Sequence, residues 1–442
     1  MTTKDRAIGQ RHREAKPFPE MLSVVTDPNL EVFQVATDLS LTGNTRGGFF
    51  SPDSRYFFFR RGPVSQEWPE QWLLCDLADG FALRTLTEDP GAIAVSSDSR
   101  YVYQVAGVGA GERSHLELRR TDLTDFRRET LAVYDAPVAG IGLRPAGCRS
   151  LSLRADGNML CAGLWFHNTH PRELYCNNGG HFAPAFINLQ TLAIHGFEWT
   201  PWSWRVGGTY FPGTDPRYLN CLLIGRVSTG EYWEPDGTYH SKKFGYDALH
   251  VVDESGRIHG TLPFGSAPRE NTSHCCWRGA NYEVLSHSGR FDTAPHWRGT
   301  IMCAAPVDCP PEQYALGRNI PGARRVELTR KFTRPDVCHI DWHRSGKYGV
   351  CDTEGWHGRG TPCLQGPAAF LYLATYIADG EEDPYIIAKY LLHPRSSWHH
   401  ATTENCQVLA PDLKTVFFNS DWTCQFGHPQ VFAVRGFRFP EA

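Results

Sequence analysis

Methionine is scarce in this chain, at 4 of 442 residues, and neither sign of charge dominates: 44 Lys and Arg stand against 48 Asp and Glu. The formal net charge is −4 with His neutral, so the basic field that nucleic-acid binding needs is missing. No apolar run approaches the ~18 residues of a membrane helix. No GxSxG elbow, Walker loop or dinucleotide fingerprint is present, and no organic cofactor is expected. Long helical periodicity is also absent. The one helix-like stretch, EEDPYIIAKYLL from Glu381, reads equally as a strand. The first residues, MTTKDRAIGQRHREAKPFPEM, hold no apolar leader core. A cytoplasmic location is expected, and a secreted or periplasmic one if a leader has been trimmed.

Turn residues, aromatics and soft ligands are what the chain has in quantity. Gly (42) and Pro (30) are plentiful, beside 19 His, 14 Cys and 13 Trp. An apolar fraction of 41% supports a packed core. A chain this long does not need disulfide staples. Its irregularly spaced Cys read as mostly reduced, buried thiols with a few metal ligands among them.

One pattern recurs seven times: a small or polar turn with Asp or Gly, then a short β-branched or aromatic run. It reads SPDSRYFFF from Ser51, SSDSRYVYQV from Ser96, RADGNMLCAG from Arg154 and PGTDPRYLNCLL from Pro212. Weaker copies are RGANYEVL from Arg278, HRSGKYGVC from His343 and APDLKTVFFNSD from Ala410. A further strand, a turn and another strand follow, best seen in WLLCDLADGFALRTLTED from Trp72. Four short antiparallel strands per repeat, seven times, is the arithmetic of an all-β fold, a seven-bladed β-propeller. EVFQVATD, Glu31 to Asp38, reads as an outer strand that completes the C-terminal blade and closes the ring. The expected organisation is a tail over 1–25 and one propeller domain over 26–442. Insertions at about 163–205, 226–246, 286–330 and 352–366 are expected to decorate the faces and build the site.

Residues that can do chemistry concentrate in those insertions and at strand ends. LWFHNTHPRELYCNNGGHF carries His167, His170 and His181. EWTPWSWRVGGTY carries Trp199, Trp202, Trp204, Arg205 and Tyr210, and its indoles suit stacking on sugar rings. LLIGR ends at Arg226. A polar loop, a packed Trp or a solvated Arg is the alternative at each. Three further clusters hold His274 in NTSHCCW, then Cys338, His339, Cys351 and Asp352, then His400, Glu404, Cys406 and Gln407. Inner propeller strands converge on a channel. His274, Cys338, His339, Cys351, His400, Glu404 and Cys406 are therefore candidates for one Zn or other divalent metal site, against buried unligated side chains.

At these residues the chain resembles oligogalacturonate lyases and, more distantly, ulvan lyases, both seven-bladed polysaccharide lyases. NTSHCCW stands where the oligogalacturonate lyases carry a His-Glu-Phe-Trp stretch, so the resemblance implies His274 as the base. DVCHIDW matches a Cys-Ser-His context, which implies His339, after Cys338, as a metal ligand. TTENCQVLAPD replaces a His-Pro-His-Pro stretch, so Glu404 and Cys406 stand in for two His ligands. The family's manganese site is thereby altered. A set with thiolate favours Zn, with Mn or Ca as alternatives, in a structural or a catalytic role. The likeness to ulvan lyases implies a mouth with the pair His167 and His181, plus Tyr210 and Arg226.

The activity so implied is β-elimination on a uronate within an acidic oligo- or polysaccharide. Arg226 would bind the carboxylate bidentately. His167, His181 or His274 would abstract H5, and Tyr210 would protonate the leaving oxygen. Trp199, Trp202, Trp204, Arg205 and His170 would bind the sugar. If His274 is instead a ligand, the mouth cluster carries the chemistry. No nucleic-acid or membrane partner is expected, and the state is a monomer or small homo-oligomer. Rival readings are a non-catalytic glycan- or protein-binding propeller and a propeller glycoside hydrolase. Asp53, Asp98, Asp156 and Asp412 sit in turns, which disfavours paired catalytic carboxylates.

Overall fold

The computed structural model describes residues 8–9, 11, 15–35, 43–61, 71–87, 91–109, 113–167, 180–197, 206–210, 220–224, 231–233, 239–241, 248–262, 270–280, 284–290, 300–304, 337–353, 370–378, 384–396, 406–423 and 429–441. Among them the only helical element is a 3-10 turn, Pro19–Met21. The rest is antiparallel sheet, laid down one sheet after another with strands paired in chain order.

The first sheet is Gly43–Phe50, Tyr56–Arg61, Trp72–Asp76 and Ala82–Thr85, and the second runs from Gly91–Val95 to Arg128–Tyr134. The third is Pro145–Leu153, Met159–His167, Gly180–Asn188 and Ile194–Gly196. The fourth is Val206–Tyr210, Asn220–Ile224, Ala248–Val252 and Ile258–Leu262, with a separate hairpin of Glu231–Trp233 and Tyr239–Ser241. The fifth shows three strands among the described residues: Glu270–Trp277, Val284–Arg290 and Thr300–Ala304. The sixth is Val337–Trp342, Tyr348–Thr353, Leu371–Ile377 and Tyr385–Leu392. The ambiguous stretch after Glu381 is thus a strand. The seventh is Val408–Leu409, Thr415–Ser420 and Gln430–Arg435, extended by Glu31–Gln34 and then Lys16–Pro17. The N-terminal segment therefore covers the edge of the last sheet, Glu31 opposite Arg435.

Each well-described repeat turn joins the first strand of a sheet to its second. Ser51 N–H donates to Tyr56 O and Ser96 N–H to Tyr101 O, both at 2.8 Å. The Asp of the motif takes up the turn's own donors, Asp53 Oδ1 accepting Arg55 N–H at 3.0 Å. The residue after it is left-handed, as at Ser54 (φ 63) and Gly157 (φ 76). The turns also bond sheet to sheet. Asp53 N–H donates to Ser99 Oγ at 3.1 Å, and Asp412 N–H to Ser54 Oγ at 2.9 Å.

Apolar cores lie between neighbouring sheets, so strands well inside a sheet, such as Trp72–Asp76 and Thr415–Ser420, are buried on both faces. Tyr56 and Phe58 face Ile93 and Val102 of the second sheet. Phe57 and Phe59 face Phe417, Val431 and Ala433 of the seventh. That two-sided burial is why the sequence reads YFFF rather than alternating apolar and polar.

Described residues within the stretch 1–25 make contacts with the sheets. Met21 is 1% exposed and packs with Val32, Leu391 and Phe432. Gly9 N–H donates to Thr85 O at 2.8 Å, which covers the outer strand of the first sheet. The described Cys 75, 148, 161, 276, 351 and 406 are free thiols, as composition suggested.

Strand direction sorts the connections. Every first strand runs toward its repeat turn, which defines a turn end. Second-to-third connections and passages between sheets leave from the opposite, crossing end.

Candidate functional site

The first strand of the sixth sheet contains a bulge. Val337 pairs with Thr353 and Ile340 with Cys351, so Cys338 and His339 together oppose Asp352. A bulge takes backbone groups out of the ladder, and they need other partners. The Asp352 side chain supplies one. Its Oδ1 accepts the His339 backbone N–H at 2.7 Å, and its Oδ2 lies 3.0 Å from His339 Nδ1. Asp352 is 0% exposed and the His339 side chain 15%. Burial of the carboxyl is tolerated because it is hydrogen-bonded on both oxygens.

The seventh sheet grips the same segment. Gln407 Nε2 donates to His339 O at 2.8 Å, and Asp341 Oδ2 accepts Leu409 N–H at 2.7 Å. Desolvation pushes the Asp341 carboxyl up to about 6.

The fifth sheet has its own bulge. Ser273 pairs with His287 and Cys276 with Leu285, leaving His274 and Cys275 opposite Ser286. The three strands can be aligned at their turn ends, where Trp277 pairs with Val284, Trp342 with Gly349 and Leu409 with Val416. Three residues earlier stand His274, His339 and Cys406. These strands are neighbours, with Cys276 Sγ–H donating weakly to Ile340 O at 3.5 Å. His274 and His339 thus stand on adjacent first strands, and Cys406 just ahead of the Val408–Leu409 strand, each three residues before the last residue of its strand. Cys406 is buried and left-handed (φ 40). The side chain of His274 lies outside the described residues.

Of the expected mouth, His167 and His181 lie at one end of their sheet and Tyr210 at the other end of its own. His167 pairs with Gly180, and His181 with Phe166, at the crossing end of the third sheet. They are one register step apart in the strand pairing. Tyr210 is at the turn end of the fourth sheet, packed with Met159, Cys161 and Phe186 and 3% exposed. Cys161 lies six residues back along the strand from His167, about 20 Å at strand rise. The Tyr210 hydroxyl donates to Glu254 Oε1 at 2.9 Å, and the same oxygen accepts from Arg154 Nη1 at 2.8 Å. Burial, helped by Cys161 and Glu254, pushes its phenol far above the usual range. Tyr210 is thus a seam residue between sheets in this structure, its hydroxyl bonded to Glu254.

Arg226, His170, Trp199, Trp202, Trp204, Arg205, His400 and Glu404 lie outside the described residues. The strands that flank each of them end at the crossing end. Cys338 is in the sixth-sheet bulge, with its side chain outside the described residues. Cys351 packs with Trp342, Ala374 and Ile386, and burial pushes its thiol up. The sequence groups Asp352 with His339 in one cluster, and the bulge sets the two against each other. Among the described residues no three His, Cys, Asp or Glu side chains stand together as a ligand set.

No protein-family model matches the chain, and no curated protein matches it in sequence. Solved structures do match. An oligogalacturonate lyase in complex with manganese is similar with a TM-score of 0.62 at 16% identity, over 99% of this chain and 99% of that one. The chain has the fold of oligogalacturonate lyase. An oligogalacturonate lyase from Vibrio parahaemolyticus is similar with a TM-score of 0.59 at 16% identity, over 97% and 98% of the two chains. Neither structure supports the more distant resemblance to ulvan lyases.

Proposed function

We propose that the chain is a lyase that cleaves a uronate-containing oligosaccharide by β-elimination, with a divalent cation held at the inner strands of a closed, seven-bladed propeller. The observation that carries this reading is the buried Asp352–His339 pair, with His339 on the strand next to that of His274, in a fold shared with oligogalacturonate lyases. The Phe57–Phe417 stack and the Ser54–Asp412 bond, both between the first and seventh sheets, support closure.

The side chains present suit a cation: His339 is held at Nδ1 by Asp352, so Nε2 is the nitrogen that would ligate, and Cys406 would supply a thiolate. Manganese, present in the similar lyase, is the first metal to test. When bound, the cation would supply positive charge for the carboxylate of the substrate.

The chain's own residues divide the remaining work. His274, on the strand next to that pair, is the base that takes H5 of the uronate. The electron pair of the C5–H bond forms the C4–C5 double bond as the C4–O bond breaks, and water protonates the leaving oxygen. Arg226 and Arg205, in segments that start from the crossing end, bind the carboxylate in a planar fork. Trp199, Trp202 and Trp204 stack on sugar faces, with His170 beside them. His167 and His181, at the crossing end of the third sheet, serve as charge-neutralising contacts.

The test is incubation with oligogalacturonates and other uronate oligosaccharides, following the near-ultraviolet absorbance of the unsaturated product. His274→Ala should lower the rate by about 10²- to 10⁴-fold. New reducing ends without absorbance would indicate a hydrolase, and silence across the panel would leave a binding propeller. Either result overturns the reading.

A further inference from the structure

We infer that Asp352 is a positioning residue that fixes His339 in the Nδ1–H tautomer and makes Nε2 the nitrogen offered to a divalent cation. The argument starts from the bulge. Cys338 and His339 oppose one residue, and the ladder has no place for the His339 N–H. Asp352 Oδ1 takes that proton at 2.7 Å, which anchors the carboxylate to the backbone of the residue it orients. The second oxygen is then directed at the ring, 3.0 Å from Nδ1. A carboxylate accepts on both oxygens and donates on neither. Nδ1 therefore carries a proton, and in the neutral ring the lone pair belongs to Nε2.

The arrangement is held from both sides. Gln407 Nε2 fixes the His339 carbonyl at 2.8 Å. Cys351, the residue before Asp352, is locked in the core with Trp342 and Ile386. The ring cannot drift without breaking the bulge, so one buried side chain sets both the backbone irregularity and the chemistry displayed on it. Carboxylates behind metal-bound imidazoles act in this way and raise the basicity of the ligand. The cation half of the inference rests on the function proposed above, whereas the tautomer half does not.

Asp352→Asn separates the two tasks, because it is isosteric. Its Oδ1 can still accept the His339 N–H and keep the bulge. Its NH₂ then faces Nδ1, which must become an acceptor, and the proton moves to Nε2. The same change at the carboxylate behind the catalytic His of a serine protease triad leaves the geometry intact and gives the wrong tautomer.

The experiment is ring-¹⁵N NMR of the full chain at a pH where the imidazole is neutral, with His339 assigned through His339→Gln. Titration of each protein with Mn²⁺ alone accompanies it. Wild type should show Nδ1–H, and Asp352→Asn should show Nε2–H with Mn²⁺ bound about 10- to 100-fold more weakly. A wild-type ring protonated on Nε2 overturns the inference, whether or not any variant folds. Unchanged Mn²⁺ affinity in a folded Asp352→Asn with the inverted tautomer overturns the cation half. A wild-type protein that is Nδ1–H yet binds no Mn²⁺ overturns that half and weakens the proposed function, while the hold of Asp352 on the ring stands.

Discussion

The ring of Phe57 in the first sheet stacks on that of Phe417 in the seventh, with centroids 4.1 Å apart and planes 24° from parallel. Both side chains are fully buried. Phe417→Ala should therefore cost about 3–5 kcal/mol, the sum of lost transfer energy and the cavity left behind. A urea denaturation midpoint reads the change. Val24→Ala is the control, because Val24 is fully exposed, and it should stay within about 0.5 kcal/mol of wild type.

Tyr210 distinguishes a seam between sheets from a catalytic mouth. Tyr210→Phe removes the 2.9 Å bond to Glu254 but keeps the ring among Met159, Cys161 and Phe186. The expected loss is about 1–3 kcal/mol of stability, since Glu254 loses a donor, with elimination activity within about twofold of wild type on the reading that Tyr210 touches no substrate. A loss of activity of a hundredfold or more in a folded variant would restore the acid role.

The two described cysteines of the expected metal set should behave differently. Cys351→Ser places a hydroxyl in the core and should cost about 1–3 kcal/mol, with Mn²⁺ affinity unchanged. Cys406→Ala should weaken Mn²⁺ binding by about tenfold or more if Cys406 is a ligand. Calorimetric titration beside a stability curve checks both, and the reverse pattern would exchange their roles.

Alkaline pH should weaken the outer edge of the second sheet. Burial pushes the Tyr134 phenol up to about 12, and its hydroxyl donates to Leu192 O at 3.0 Å. An unfolded Tyr titrates near 10. The folded pKa is the higher one, so the stability it supports is complete below pH ~10 and is lost as pH rises toward ~12. Tyr134→Phe should be about 1 kcal/mol less stable than wild type at neutral pH. The gap should narrow across that alkaline window, as urea midpoints at stepped pH would show.

The sequence made the architecture legible where local chemistry decides it. Turns such as SPDS at Ser51 and APDL at Ala410 carry their own hydrogen-bonding logic, and EVFQ at Glu31 stands alone as a strand without a hairpin partner. His274, His339 and Cys406 stood out as soft-ligand side chains in the sequence, and the strand ends add that each lies three residues before the end of its strand. Other features depend on what lies across a strand. Asp352 acquires a role only because a bulge sets His339 against it. Tyr210 looked close to His167 because both flank insertions, yet strand direction puts each at a different end of its own sheet. Met21 reads as polar tail until the sixth and seventh sheets give it a core to enter.

The pairing of Glu31 with Arg435 joins residues separated by almost the whole chain. During synthesis Glu31–Gln34 leaves the ribosome early and has no ladder to join until Gln430–Arg435 follows. For that interval it is an open strand edge, prone to pairing with other chains. Assembly of the last sheet is thereby a late, slow step with a large loop to close. Residues near 31–34 are then decisive for yield and solubility, while lying far from any chemistry at the inner strands.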